Sequence, residues 1–90
     1  MTEQKIQSKI VKKLKDDGWI VIKTIKLSES GYPDIFAFRS GVSIFVEVKS
    51  ESGRASPLQK YRIEQLTKQG FTAFICYGYI DFINKYNENL

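Results

Sequence analysis

The chain has 90 residues, 42% apolar and 13% aromatic, proportions of a folding globular domain that exclude an intrinsically disordered one. At this length one core buries roughly 60 to 70% of the surface an unfolded chain exposes, so a single domain over 1–90 with no internal linker is expected. Lysine and arginine number 14 against 10 acidic residues, a net charge of +4, which suits a polyanionic partner such as nucleic acid and equally describes an ordinary basic surface.

Thr2 can cap a helix in which Ile6, Ile10, Val11 and Leu14 share one face while Lys5, Lys9, Lys12, Lys13 and Lys15 point largely elsewhere. This N-terminal stretch is charged throughout, unlike a secretory signal, and no apolar run nears the roughly 20 residues that cross a bilayer. A cytoplasmic location without membrane contact is expected. Asp16-Asp17-Gly18 ends the helix, and the β-branched and aromatic run Trp19–Ile25 predicts a strand. After a loop at Ser28–Gly31, two further strands are predicted at Asp34–Arg39 and Ser43–Lys49, joined by Ser40-Gly41 in a tight hairpin. Their centres, Ile35-Phe36-Ala37-Phe38 and Ile44-Phe45-Val46, are apolar on both faces, which predicts a sheet covered on both sides.

Glu51–Ala55 reads as a polar loop, followed by Ser56 as cap and Pro57 as the first residue of a second helix that runs to about Gln69 and stops at Gly70. Phe71–Tyr77 predicts a fourth strand and Tyr79–Tyr86 a short last helix, with Asn84–Leu90 polar enough to fray. The order is αβββαβα, an α/β domain.

Three charged residues interrupt these apolar strands: Asp34 at the start of one, and Glu47 and Lys49 near the end of the next. With Ser40-Gly41 as a two-residue turn, Asp34 falls directly opposite Glu47, and Lys49 shares their face. Two opposed carboxylates with Cβ atoms about 5 Å apart repel unless a cation lies between them. The chain has no histidine and only Cys76, which excludes a Cys/His zinc site and an intramolecular disulfide. Oxygen ligands therefore point to Mg2+ or Mn2+. A register slipped by two residues instead sets Asp34 against Lys49 in a plain ion pair, and spacing alone leaves both arrangements open.

Gly31-Tyr32-Pro33-Asp34 followed by Val46-Glu47-Val48-Lys49 resembles the PD-(D/E)XK nuclease superfamily. With Glu3 in a preceding helix and Gly53-Arg54-Ala55-Ser56-Pro57-Leu58-Gln59-Lys60 leading into the next, the chain from Glu3 to about Tyr77 looks like the VRR-NUC family within it. The resemblance implies an αβββαβ(α) restriction-endonuclease-like core, a mixed four-stranded sheet flanked by helices. It also implies a divalent-metal-dependent endonuclease in which Asp34, Glu47 and the Val48 carbonyl hold metal, Lys49 assists the attacking water, and Glu3 and Gln59 complete the site. Glu3 is equally explained by the helix dipole, and Gln59 by an exposed helix position.

Lys23, Lys26, Arg54, Lys60 and Arg62 are the basic residues expected to contact phosphates, which fixes position without reading sequence. Lys12, Lys13 and Lys85 read as solvated charges. The absence of a base-reading helix favours a branched substrate such as a four-way junction or flap, with a catalytically silent DNA-binding module or an interaction domain as rival readings. The apolar stretch Tyr77–Ile83 is expected to lie mostly in the core and partly in a homodimer interface, as similarly sized junction resolvases of the superfamily imply.

Overall fold

In the computed structural model, which describes residues 1–90, Thr2 caps helix α1 (Glu3–Asp16) by accepting the Lys5 N–H at its hydroxyl, 3.2 Å away. Ile6, Ile10 and Leu14 recur at four-residue spacing and are buried, while Lys12–Asp16 and Lys13–Asp17 pair along the outer side. Strand β1 (Ile20–Lys23) is shorter at both ends than its β-prone sequence predicts. The Trp19 N–H closes the helix end on the Leu14 carbonyl, and its indole turns into the core to donate to the Tyr86 hydroxyl at 2.9 Å. At the far end Thr24 keeps one bond to the Asp34 carbonyl and then leaves the sheet.

Strands β2 (Ile35–Arg39) and β3 (Val42–Lys49) form the predicted hairpin, with Arg39 facing Val42. Ser40 and Gly41 have φ of 51° and 78°, the two positive values that a type I′ turn requires and that match the twist of the flanking strands. β1 pairs antiparallel with β2, and β4 (Thr72–Tyr77) pairs parallel with β3, giving a mixed sheet in the order β1-β2-β3-β4. A parallel neighbour needs a crossover, and α2 (Pro57–Lys68) supplies it. Ser56 and Gln59 start α2 with reciprocal side-chain-to-backbone bonds, a capping box.

The two faces of the sheet differ. One carries Ile35, Ala37, Ile44, Val46, Val48, Phe74 and Cys76, all buried under α1 and α3 (Tyr79–Asn89). The other is covered by α2 only above β4, and no α2 residue is fully buried. The expectation of two covered faces therefore holds for one side alone. On the open side Phe36, Phe38 and Phe45 stay half-buried by packing edge-on against one another, and Ile20, Ile22 and Phe71 are exposed.

Residues 84–90 are not a frayed tail, since α3 continues to Asn89. Tyr86 is buried, stacks on Phe82 at 5.4 Å, accepts from Trp19 and donates to Asp17 Oδ2 at 2.7 Å. Lys85, expected as a solvated charge, donates to the Ile75 carbonyl and pairs with Asp81. The apolar stretch before it splits, with Phe82 in the core and Ile80 exposed. No helix is long and apolar enough to cross a membrane. Tyr86→Phe strands the buried indole donor and takes one donor from Asp17, which keeps Lys13, so urea denaturation is expected to show a loss of about 1–3 kcal/mol. A loss below about 0.3 kcal/mol would contradict this account of α3.

Candidate active site

The hairpin register builds the site. Ile35 pairs with Val46, so the next residue outwards on each strand sets Asp34 opposite Glu47 on the half-covered face. The slipped register is not adopted. Asp34 sits just before β2 and is fixed from several directions: its carbonyl accepts the Thr24 N–H, and its Oδ2 accepts the Val48 N–H at 3.0 Å. The preceding Pro33 is fully buried and accepts from the Thr24 hydroxyl at 2.7 Å. In an extended strand the N–H and C=O of one residue point to the same side, so the Val48 carbonyl looks towards the edge vacated where β2 ends.

Glu47 is 2% exposed, a carboxylate sunk among strand side chains. Its Oε2 takes two donors, Lys49 Nζ at 3.3 Å and Gln59 Nε2 at 3.1 Å. The other amide atom of Gln59, Oε1, accepts the Ser56 N–H at 2.9 Å, so the α2 capping box also aims the glutamine at Glu47. Gln59 is thus brought into the site by α2 and is not a free surface residue. Glu47 Oε1, in contrast, is buried without any hydrogen-bond partner. Burial, and then the negative charge of Asp34, push the Glu47 carboxyl up to about 7 against the opposing pull of Lys49. Burial likewise pushes the Cys76 thiol up to about 12, which leaves it an inert core residue.

The site gathers two carboxylates and no more. No group of three or more His, Cys, Asp or Glu residues comes together, and Glu3 is an exposed residue in the first turn of α1, placed where an acid complements the helix dipole. The expectation that Glu3 joins Asp34 and Glu47 is not met by the fold.

Of the basic residues, Lys26, Arg54 and Lys60 are exposed and form no ion pair, which leaves them free for phosphate; Lys23 is exposed too, but its pairing with Ile35 puts it on the α1 face beside Lys12 and Lys15, away from the carboxylate pair. Arg62 differs. It is 16% exposed and its guanidinium is committed: Nε donates to the Ser30 carbonyl at 3.1 Å, Nη1 to Gln65, Nη2 lies 3.7 Å from Glu29, and the plane stacks 4.4 Å from the centre of the Tyr32 ring. Gly31 packs the same segment onto α2, with φ +86° and its would-be Cβ 2.6 Å from Leu58. Arg62 is therefore a clamp for the segment leading into Asp34 and not a phosphate contact.

The raised Glu47 pKa has a sign that can be measured. Between its ordinary value of 4.5 and about 7 the folded chain binds more protons than the unfolded one. The stabilisation is therefore complete below pH 4.5 and is lost as pH rises through 7. In EDTA the thermal midpoint is expected to fall between pH 5 and 8, and Glu47→Gln to flatten that fall. An equally steep fall in the variant would contradict the assignment.

Comparison with known proteins identifies the family and the fold. A family model described as the VRR-NUC domain matches residues 1–79. A solved structure named "VRR_NUC domain" superposes with a TM-score of 0.85 at 27% identity, covering 97% of each chain. Another, named "VRR_NUC domain protein", shares the fold with a TM-score of 0.81 at 23% identity, over 98% of this chain and 87% of its own. Comparison with curated proteins gives no significant match. With the family model spanning most of the sequence and the fold retained throughout, the chain belongs to the VRR-NUC domain family and is a nuclease-type, DNA-processing domain.

Proposed function

We propose that this domain is a PD-(D/E)XK-type endonuclease that hydrolyses DNA phosphodiester bonds with Mg2+ or Mn2+ held by Asp34, Glu47 and the Val48 carbonyl. The observation that carries the reading is Glu47 Oε1, a buried carboxylate oxygen with no partner, on a residue that the hairpin register sets opposite a second carboxylate, Asp34. A buried acceptor is costly when unpaired, and a hard oxygen donor set with a surplus of negative charge fits a hard divalent cation. When bound, such an ion lowers the pKa of water and neutralises charge developing on the phosphoryl group.

The chain's own residues supply the rest. Gln59 and Lys49 hold Oε2, which leaves Oε1 as the free oxygen. Lys49 is 13% exposed and carries two further ammonium protons that can orient the attacking water or meet a phosphoryl oxygen. The Arg62 clamp and the Thr24 bonds keep Asp34 in register with Glu47, because near-attack geometry is lost with displacements of about 1 Å. Arg54, Lys60 and Lys26 offer phosphate contacts around the pair and make binding salt-dependent.

Substrate choice by shape fits the same fold. α1 and α3 are packed on the closed face, away from the carboxylate pair, so neither is placed to read a major groove at the site. The open apolar sheet face with Phe36, Phe38 and Phe45 offers a second copy an isologous surface, which would set two sites at a fixed spacing suited to branched DNA inside the cell. Labelled four-way junction, flap and linear duplex incubated with Mg2+, Mn2+ or EDTA test the proposal. Cleavage is expected only with metal, strongest on a branched substrate, and slower by about 100-fold or more in Lys49→Ala with DNA binding retained. Binding without cleavage under any metal would instead make the chain a DNA-binding module of this fold.

A further inference from the structure

The connection between β1 and β2 turns outward. Ile25 is 97% exposed, the highest value of any large apolar residue in the chain, and Leu27 two residues on is 44% exposed. Isolated surface apolar residues need no explanation, but this tip is anchored at both of its ends. At its start the Thr24 N–H donates to the Asp34 carbonyl at 2.8 Å and its hydroxyl to the Pro33 carbonyl. At its end Arg62 grips Ser30 and stacks on Tyr32. Both ends of the segment are thereby anchored beside Asp34, and a cleft of about 300 Å³ bounded by Thr24, Ile25, Leu27, Tyr32 and Asp34 joins tip and carboxylate. Lys26, exposed and unpaired, lines it with Glu29, while Lys23 pairs with Ile35 and so lies on the α1 face of the sheet.

We infer that Ile25, backed by Leu27, is a wedge that enters the base stack of DNA beside the phosphate presented to Asp34 and Glu47, and that it selects DNA whose stacking is already interrupted. The inference rests on DNA being the partner of this domain. Apolar side chains between base steps unstack and kink a duplex, with basic neighbours holding the backbone on either side. Unstacking costs least where pairing is already broken, so such a wedge favours a branch, nick or flap over continuous duplex. Continuity with the carboxylate site decides the occupant: Ile25 and Lys26 line the same cleft as Asp34, so DNA that reaches the carboxylate pair meets the tip, and a net charge of +4 favours that polyanion over a second copy of the chain.

The test uses branched DNA carrying 2-aminopurine at successive positions around the branch, in EDTA, with wild type, Ile25→Ser and Ile25→Phe. A several-fold rise in fluorescence at one position is expected with wild type and Ile25→Phe and is lost with Ile25→Ser, whose fully exposed site leaves folding intact by circular dichroism. With metal, the ratio of branched to duplex cleavage is expected to fall towards one in Ile25→Ser only. An equal rise with Ile25→Ser, DNA bound by wild type with no rise, or sedimentation showing that Ile25→Ser instead breaks a dimer would each overturn the wedge. Unstacking by a wild type that cuts nothing in any metal would leave the wedge standing and overturn the nuclease reading, so the two failures are distinct.

Discussion

Glu47 brings a carboxylate into a sheet where it is 2% exposed, and donors meet only one of its two oxygens. The opposed Asp34 spends its own Oδ2 on the Val48 N–H and adds a second negative charge. A single ammonium, Lys49, does not balance two carboxylates of which one is buried, and an unbalanced buried charge is among the most costly features a fold can carry. The surrounding architecture reads as the means of holding that imbalance in place. The type I′ turn sets the register, the capping box of α2 aims Gln59, and Arg62 with Gly31 fastens the segment that ends in Asp34.

The sheet divides the labour between stability and chemistry. Its closed face, packed by α1 and α3 and locked by the Trp19–Tyr86–Asp17 hydrogen bonds, supplies a core in a chain of only 90 residues. That leaves the other face free to be only half covered. Because side chains alternate along a strand, Asp34, Phe36 and Phe38 share that face on β2 as Glu47 and Phe45 do on β3, so the polar site passes directly into an aromatic surface. The parallel crossover through α2 covers the β4 side and carries Gln59 to Glu47, while the β1 side remains open to a partner.

Local signals were legible where the sequence determines geometry by itself. Ser40-Gly41 marks a tight hairpin, although only the observed register, Ile35 against Val46, decides between Glu47 and Lys49 as the residue opposite Asp34; Ser56-Pro57 and Gly70 bracket α2; the spacing of Ile6, Ile10 and Leu14 gives the buried stripe of α1. What could not be read depends on partners distant in sequence. Trp19 and Tyr86 are 67 residues apart, and their bond overrides both the strand propensity of the first and the polar surroundings of the second. Arg62 looks like any other basic helix residue until Ser30 and Tyr32 are brought beneath it. Phe36, Phe38 and Phe45 imply burial by type, yet much of their cover comes from each other and not from a second layer. Glu3 has a sufficient local role at a helix start, and no tertiary contact draws it to the carboxylate pair.

If Asp34 and Glu47 hold a divalent cation as proposed, the site exists before any DNA is present. Mn2+ binding to the free protein, followed by calorimetry and by the loss of the free-ion electron paramagnetic resonance signal, tests it directly with wild type, Asp34→Asn and Glu47→Gln. A saturable site on the wild-type chain, lost in both variants while each remains folded, is the predicted result. Binding of equal strength in the variants, or no saturable binding to the wild type, would contradict it.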